Sequence, residues 1–379
     1  MTPVQKQHWL SGCRGNRHDK ADNWETRRMT QQDQAEEGTG TTATRRGWRD
    51  RADRWRRGAV MTLSTLKRRW RLALGVAGGV VAVMLILGLW WSQEPGLRDI
   101  TEIAEDRAGD HDPVSGLYTA VALEQTMDAL LNKPGGYLRN SRLPPAVMLD
   151  NMPNWELGVV WHAREWAELL RRYMTRADLQ ATEDADLVIV EPQFFFDTNN
   201  WLLPSTDSEY RRGLSHLTQY IERLQAGNAE FHVRSEDLSL WLKRVEERLE
   251  TQHEALMMSV AKRAYDPAPF LGLEPPDSST PRLQVDDVLY QTRGYSWALM
   301  HSLQGVREDF RPVFADPEAA QAQFDLALLE LSALQRPLWS PWVLNGSGQG
   351  LWANHSLVAA AHLGRARLAL AELRAQLEG

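Results

Sequence analysis

The chain has 379 residues, a net charge of −7 and one cysteine, which leaves room for a large core and rules out a disulfide-stapled fold within one molecule. The charge is unevenly placed: residues 1–71 hold 17 Lys/Arg against 8 Asp/Glu, a balance of +9, and residues 92–379 hold the other 26 against 42, a balance of −16. An acid-rich body repels phosphates instead of releasing their counterions, so nucleic acid is excluded as its partner.

Residues 1–60 are rich in Arg, Gln, Thr, Asp and Gly with no sustained apolar period and are expected to be disordered. They hold the single cysteine, Cys13. Met61 opens a compact basic flank, residues 61–71, that would suffice as a start, which makes residues 1–60 a candidate over-long gene reading. If they are translated, the Arg45 to Arg57 cluster suits anionic lipid heads.

Residues 72–91, LALGVAGGVVAVMLILGLWW, carry no charge, Asn, Gln or Pro. At about 1.5 Å per helical residue the run covers roughly 30 Å, the thickness of a bilayer's hydrocarbon core, and it reads as one transmembrane helix. Lys67, Arg68, Arg69 and Arg71 crowd its N-terminal end, which predicts a cytoplasmic tail and an exported body. The run is too long for a signal peptide's apolar core and is followed by Ser92-Gln93-Glu94-Pro95 with no A-x-A pattern, so it is read as retained. Trp90 and Trp91 suit the interfacial aromatic belt. Gly75 and Gly79 form a small-xxx-small face through which two copies would dimerise, although such glycines also occur in lone spans.

Beyond a polar connector, residues 92–114, with a short helix near Leu97 to Arg107, residues 115–379 read as helix after helix. Leu117, Ala120, Leu123, Met127 and Leu130 form the first stripe, stopped at Lys133-Pro134-Gly135-Gly136. After a Pro-marked loop, Val159, Ala163, Trp166, Leu170 and Tyr173 share one helical face. A strand competes only in Asp186 to Asp197, where Pro192 would confine it to an edge. Thr206 and Glu209 read as a capping box for a helix closed by Gly227, and Ser235 as the cap of the longest helix, to about Ala264. Prolines between residues 266 and 283 mark a candidate internal boundary. Further helices are predicted from Val285 to Phe310, from Asp316-Pro317-Glu318 to Arg336-Pro337, and from Leu351 to Leu377. The expected fold is all-α: one N-terminal transmembrane helix and a soluble multi-helix bundle, in one domain or two packed lobes.

Nine of the sixteen tryptophans lie in the body. Trp166, Trp241 and Trp297 sit within apolar stripes and are expected to fill core. Trp201, Trp339, Trp342 and Trp352 lie in or beside loops with Asn345 and Asn354, where flat rings and amides would suit a sugar. Glu191, Asp197, Asp207 and Glu209 cluster in sequence, and a glycosidase needs two carboxyls at a set separation. Glu209, however, is accounted for as a cap. His162 and Glu165 have metal-ligand spacing, yet His162 borders the apolar face and reads as a core histidine. His355 and His362, about 10.5 Å apart in rise, cannot share an ion. The Asn345 to Gly350 run lacks phosphate-loop spacing and reads as a turn. No G-x-S-x-G or H-E-x-x-H is present and the body has no cysteine, so no metal, cofactor or catalytic residue is assigned.

The runs Pro134-Gly135-Gly136-Tyr137-Leu138, Leu143-Pro144-Pro145, Asp150-Asn151-Met152-Pro153-Asn154-Trp155-Glu156 and Glu191-Pro192, with Phe196-Asp197, Trp201 and Pro204-Ser205, resemble the DUF2333 family over residues 61–379. The resemblance implies a bacterial inner-membrane protein facing the periplasm and carries over no catalytic residue. The expected function is a non-enzymatic interaction module for another envelope component. The alternative is a protein that binds or cleaves peptidoglycan through the loop Trp and Asn residues with Glu191 and Asp197.

Overall fold

The computed structural model describes residues 43–178, 180–260, 280–281, 284–338, 343–344 and 353–378. Its first element, α1, runs from Ala43 to Trp91. Residues 43–60, which composition assigns to a disordered tail, are therefore helical; they lack proline, and the apolar run supplies the costly helix nucleus from which they can propagate. Within α1, Leu66–Trp91 is long and apolar enough to cross a membrane, and only 6% of its most apolar window is buried. The protein's own core thus does not account for this stretch.

Nine further α-helices follow among the described residues, with no strand. They are α2 (Ile100–Ala108), α3 (Leu117–Asn132), α4 (Asn151–Leu169), α5 (Leu187–Phe194), α6 (Thr206–Gln225), α7 (Ser235–Ser259), α8 (Val285–Asp309), α9 (Pro317–Leu334) and α10 (His355–Glu378). A π turn, Leu170–Met174, extends α4. The predicted stripe of α3 is buried throughout, as are the apolar positions at helical spacing Leu238, Leu242, Val245, Leu249 and Leu256 of α7 and Leu363, Ala366, Leu370 and Leu373 of α10. The chain from Gly75 onward forms one compact unit, so the two-lobe alternative is not adopted. Most of the proposed 266–283 boundary lies outside the described residues.

Three local expectations change. Asp186 to Asp197 forms no strand: it is α5, with Pro192 inside the helix. The capping box is not made. Thr206 is already the first helical residue, and its hydroxyl donates to the carbonyl of Asp197, 2.6 Å away, while accepting the Asn200 N–H at 3.0 Å, so it organises the preceding loop. Ser235 likewise starts α7 without capping it; the N-cap is Arg234, which pairs with Asp237 at 2.6 Å. By contrast Asp316 caps α9 as expected, accepting from the N–H groups of Glu318 and Ala319 at 3.1 and 3.0 Å. Gly227 takes the left-handed conformation that ends α6, at φ 72°.

At the centre lies α8, packed against α2, α3, α4, α7, α9 and α10. Seventeen of its 25 residues are buried, far more than one amphipathic stripe would cover. Glycines permit this close packing. A Cβ on Gly294 would overlap the Trp155 carbonyl of α4, one on Gly158 the Gln291 carbonyl of α8, and one on Gly305 the Tyr118 carbonyl of α3, at 2.5 Å. Trp155, Trp166, Trp241 and Trp297 fill the core, in ring contacts of 5.1 Å between Trp155 and Trp297 and 4.7 Å between Trp166 and Trp241.

Candidate functional site

The polar residues that matter most gather where α1 meets the bundle. Glu94, three residues past the end of α1, forms a two-point ion pair with Arg293 of α8, at 2.9 Å from Nε and 2.7 Å from Nη2. The same guanidinium reaches the carbonyl of Leu334, the last residue of α9, and, at 3.0 Å, the Arg336 carbonyl just beyond the helix. Next along the connector, the Arg98 N–H donates to His301 Nε2 at 3.1 Å and the Ile100 N–H to Gln304 Oε1 at 3.1 Å. The connector is therefore a clamp on α8, where sequence suggested a polar linker.

On the other side of the same end, Lys133 and Glu156 form an ion pair of 2.6 Å with both side chains fully buried. Glu156 also accepts the N–H groups of Leu138 and Arg139 at 2.8 and 2.7 Å, and Lys133 donates to the Gly136 carbonyl at 2.6 Å. Burial pushes the Glu156 carboxyl above its ordinary range despite these partners. The pair shapes the Pro-Gly-Gly turn, whose Gly135, at φ 83°, leaves room for the Trp91 ring: a Cβ there would lie 2.7 Å from it.

Two clefts flank Arg293. One, of about 540 Å³, lies between α8, the end of α9 and the start of α10, with Leu289, Leu334, Leu338, Leu344, Val358 and Ala359 among its walls. The other, of about 550 Å³, runs along the connector from Ser92 to Leu97. Of the four titratable groups lining the first, Arg293, His355 and His362 are engaged and Arg336 is the fourth. His355 Nδ1 accepts the Leu344 N–H at 3.1 Å, and burial lowers its proton affinity. His362 and Arg365 both pair with Glu330, at 2.7 and 2.8 Å; Arg365 is the larger influence holding that carboxyl below its ordinary range.

Of the sequence candidates, Trp339, Trp342, Trp352 and Asn345 lie outside the described residues. Trp201 is 57% exposed, and Asn354 is buried at the start of α10, accepting the Leu357 N–H at 2.9 Å. The structure does not bring these two together into one described site. Around Gly75 and Gly79 an added Cβ would meet nothing within 4 Å, so that helix face is open. Glu191 is bound by Arg171 and Arg172 at 3.0 Å each, Asp197 accepts the Asn199 N–H at 3.0 Å, and Asp207 accepts from Asn140 at 3.1 Å. His162 is a core histidine, bonded to Ser302 at 2.8 Å, with burial lowering its pKa to about 3. Glu165 turns to Arg248 and Tyr295 instead. Among the described residues no group of His, Cys, Asp and Glu could hold a metal ion.

The architecture is thus an all-helical bundle fed by one apolar N-terminal helix. The chain belongs to the DUF2333 family, whose description is an uncharacterized protein conserved in bacteria and whose family model matches residues 64–379. No curated protein and no solved structure matches it.

Proposed function

We propose that the chain is a single-pass protein of the bacterial inner membrane, with its basic N-terminus in the cytoplasm and its helical body in the periplasm, and that the body is a docking module without bond chemistry of its own. The observation that carries the docking role is the cleft beside Arg293: its walls are largely apolar, and Arg293, His355 and His362 are each engaged by partners within the chain. Such a cleft suits an inserted apolar side chain better than a reacting group. The membrane reading is supported by the exposure of Leu66–Trp91 and by the basic residues at its N-terminal end.

A photo-crosslinking residue at Val358, which is 56% exposed on the cleft wall, tests this in cells. The expected result is one discrete protein adduct, absent when the crosslinker sits at exposed Asp110 and lost when Trp339 and Trp342 are replaced by Ala without loss of helical content. Adducts that persist after those substitutions, or that form equally from both sites, contradict the docking role. The glycan reading has Trp201 in its favour, but Asn200 beside it uses both ends of its amide within its own loop, on Pro204 and Leu202. Retention of the solubilised protein on purified sacculi, abolished by Trp201→Ala, would favour that reading instead.

A further inference from the structure

In the last two turns of α1, Met84, Leu87, Gly88 and Trp91 are the positions from residue 72 onward that are not exposed. Their spacing puts them on one helical face. The body covers that face: a Cβ on Gly88 would lie 3.9 Å from both Pro145 Cβ and Leu149 Cδ2, and Trp91 packs on Gly135. Gly88 is one turn, about 4.5 Å of rise, inside the end of the helix. The loop that carries Pro145 and Leu149 therefore overlaps the apolar run itself, not the polar connector beyond it.

That loop is apolar on its outside as well. Leu143 is 77%, Val147 53% and Met148 75% exposed. Beside it stands a second loop, Trp201-Leu202-Leu203, with exposures of 57%, 57% and 94%. The two are joined at their roots: Asn140 donates to the Asn200 carbonyl at 3.2 Å and the Tyr137 hydroxyl to the Thr198 carbonyl at 3.0 Å. Six large apolar side chains on neighbouring loops exceed the scattered exposure of an ordinary surface. A loop held against the end of an apolar span shares that span's surroundings.

We infer that these two loops form a collar that rests in the same lipid leaflet as the end of α1, with Leu143, Val147, Met148, Leu202 and Leu203 in the acyl boundary and Trp201 at headgroup level, so that the body is held by lipid contact as well as by its helix. Apolar side chains with an interfacial tryptophan are the composition that binds a lipid–water boundary. The inference rests on the membrane reading proposed above.

The test uses the full chain in phosphatidylcholine–phosphatidylglycerol nanodiscs, with Cys13→Ser as background and a single cysteine carrying an environment-sensitive dye. Sites are Met148 and Leu203 in the collar, Leu85 in the span and Leu329 on α9. The expected result is blue-shifted emission and loss of intensity to a lipid-borne nitroxide at Met148, Leu203 and Leu85, with neither at Leu329. Quenching at Leu85 but not at either collar site overturns the collar and leaves the span standing. No quenching at Leu85 overturns the membrane reading and the collar with it. Sacculi protecting Leu203 from a soluble quencher, without lipid quenching, overturns the collar in favour of a sugar.

Discussion

Replacing Lys133 by Met should unfold the protein more readily than its small change in volume suggests. The substitution leaves the Glu156 carboxylate buried, with two backbone N–H groups but no cation. Removing one partner of a buried ion pair costs about 3–5 kcal/mol, because the remaining charge cannot return to water. For a body of 288 residues (92–379), with an unfolding entropy of about 2.1 cal/mol/K per residue, that lowers the melting temperature by roughly 5–8 °C. Adding Glu156→Gln removes the stranded charge. One end of the amide can still accept a backbone N–H, and the other N–H goes unmet at a cost of about 1–3 kcal/mol. The double variant should therefore be more stable than Lys133→Met alone. Denaturation of the parent, each single variant and the double variant, as full chains in detergent followed by far-UV circular dichroism, gives the four midpoints of the cycle. Losses that simply add across the pair, or a Lys133→Met loss below about 1 kcal/mol, would refute this account of the turn.

Gly294→Ala should cost about 3 kcal/mol or more, since the new methyl meets a backbone carbonyl of α4 with no side chain to yield; the same melting assay reads it. Arg293→Met should strand Glu94 and free the Leu334 carbonyl at the end of α9, so limited proteolysis should cut the connector between Gln93 and Arg98 faster than in the parent. Acid should weaken the fold. His162 and His301 stay neutral when folded, with burial lowering their pKa values to about 3 and about 4, so the unfolded chain binds protons first as pH falls below about 6.5. Stability is thus present above that value and lost toward pH 4, by roughly 4 kcal/mol at pH 5 for the two together. Asp309 opposes this: burial raises its carboxyl to about 6, which favours the folded state by roughly 1 kcal/mol at pH 5 relative to pH 7. Urea midpoints at pH 7 and pH 5 should show the net loss, and His301→Gln should reduce it.

Much of the bundle is legible in the chain because apolar stripes at helical spacing need no partner to be seen. Leu117 to Leu130, Leu238 to Leu256 and Leu363 to Leu373 are buried as their periods predict. The last helical residue of α1 before the polar connector is likewise the one that the apolar run implies. What local pattern could not show depends on residues far apart. Glu94 and Arg293 are separated by 199 positions, and nothing near either announces the other. Thr206 matched a capping pattern, but its hydroxyl has a better use in holding Asp197 and Asn200. Asp186 to Asp197 looked ambiguous because a run of eight to twelve residues fits either period, and packing against α4 and α6 decides it. The chain itself carries one signal for the proposed collar: Leu143, Val147 and Met148 fall in a Pro-marked loop, where apolar residues without a helical stripe have no core to join.

The membrane anchor is the premise on which the docking role and the collar both depend. A reporter enzyme active only after export, fused after Leu377 and compared with the same reporter fused after Arg71, measures it directly. Activity from the first fusion and silence from the second, at equal expression, is the expected result. Activity after Arg71 with silence after Leu377 would invert the topology and remove the periplasmic role.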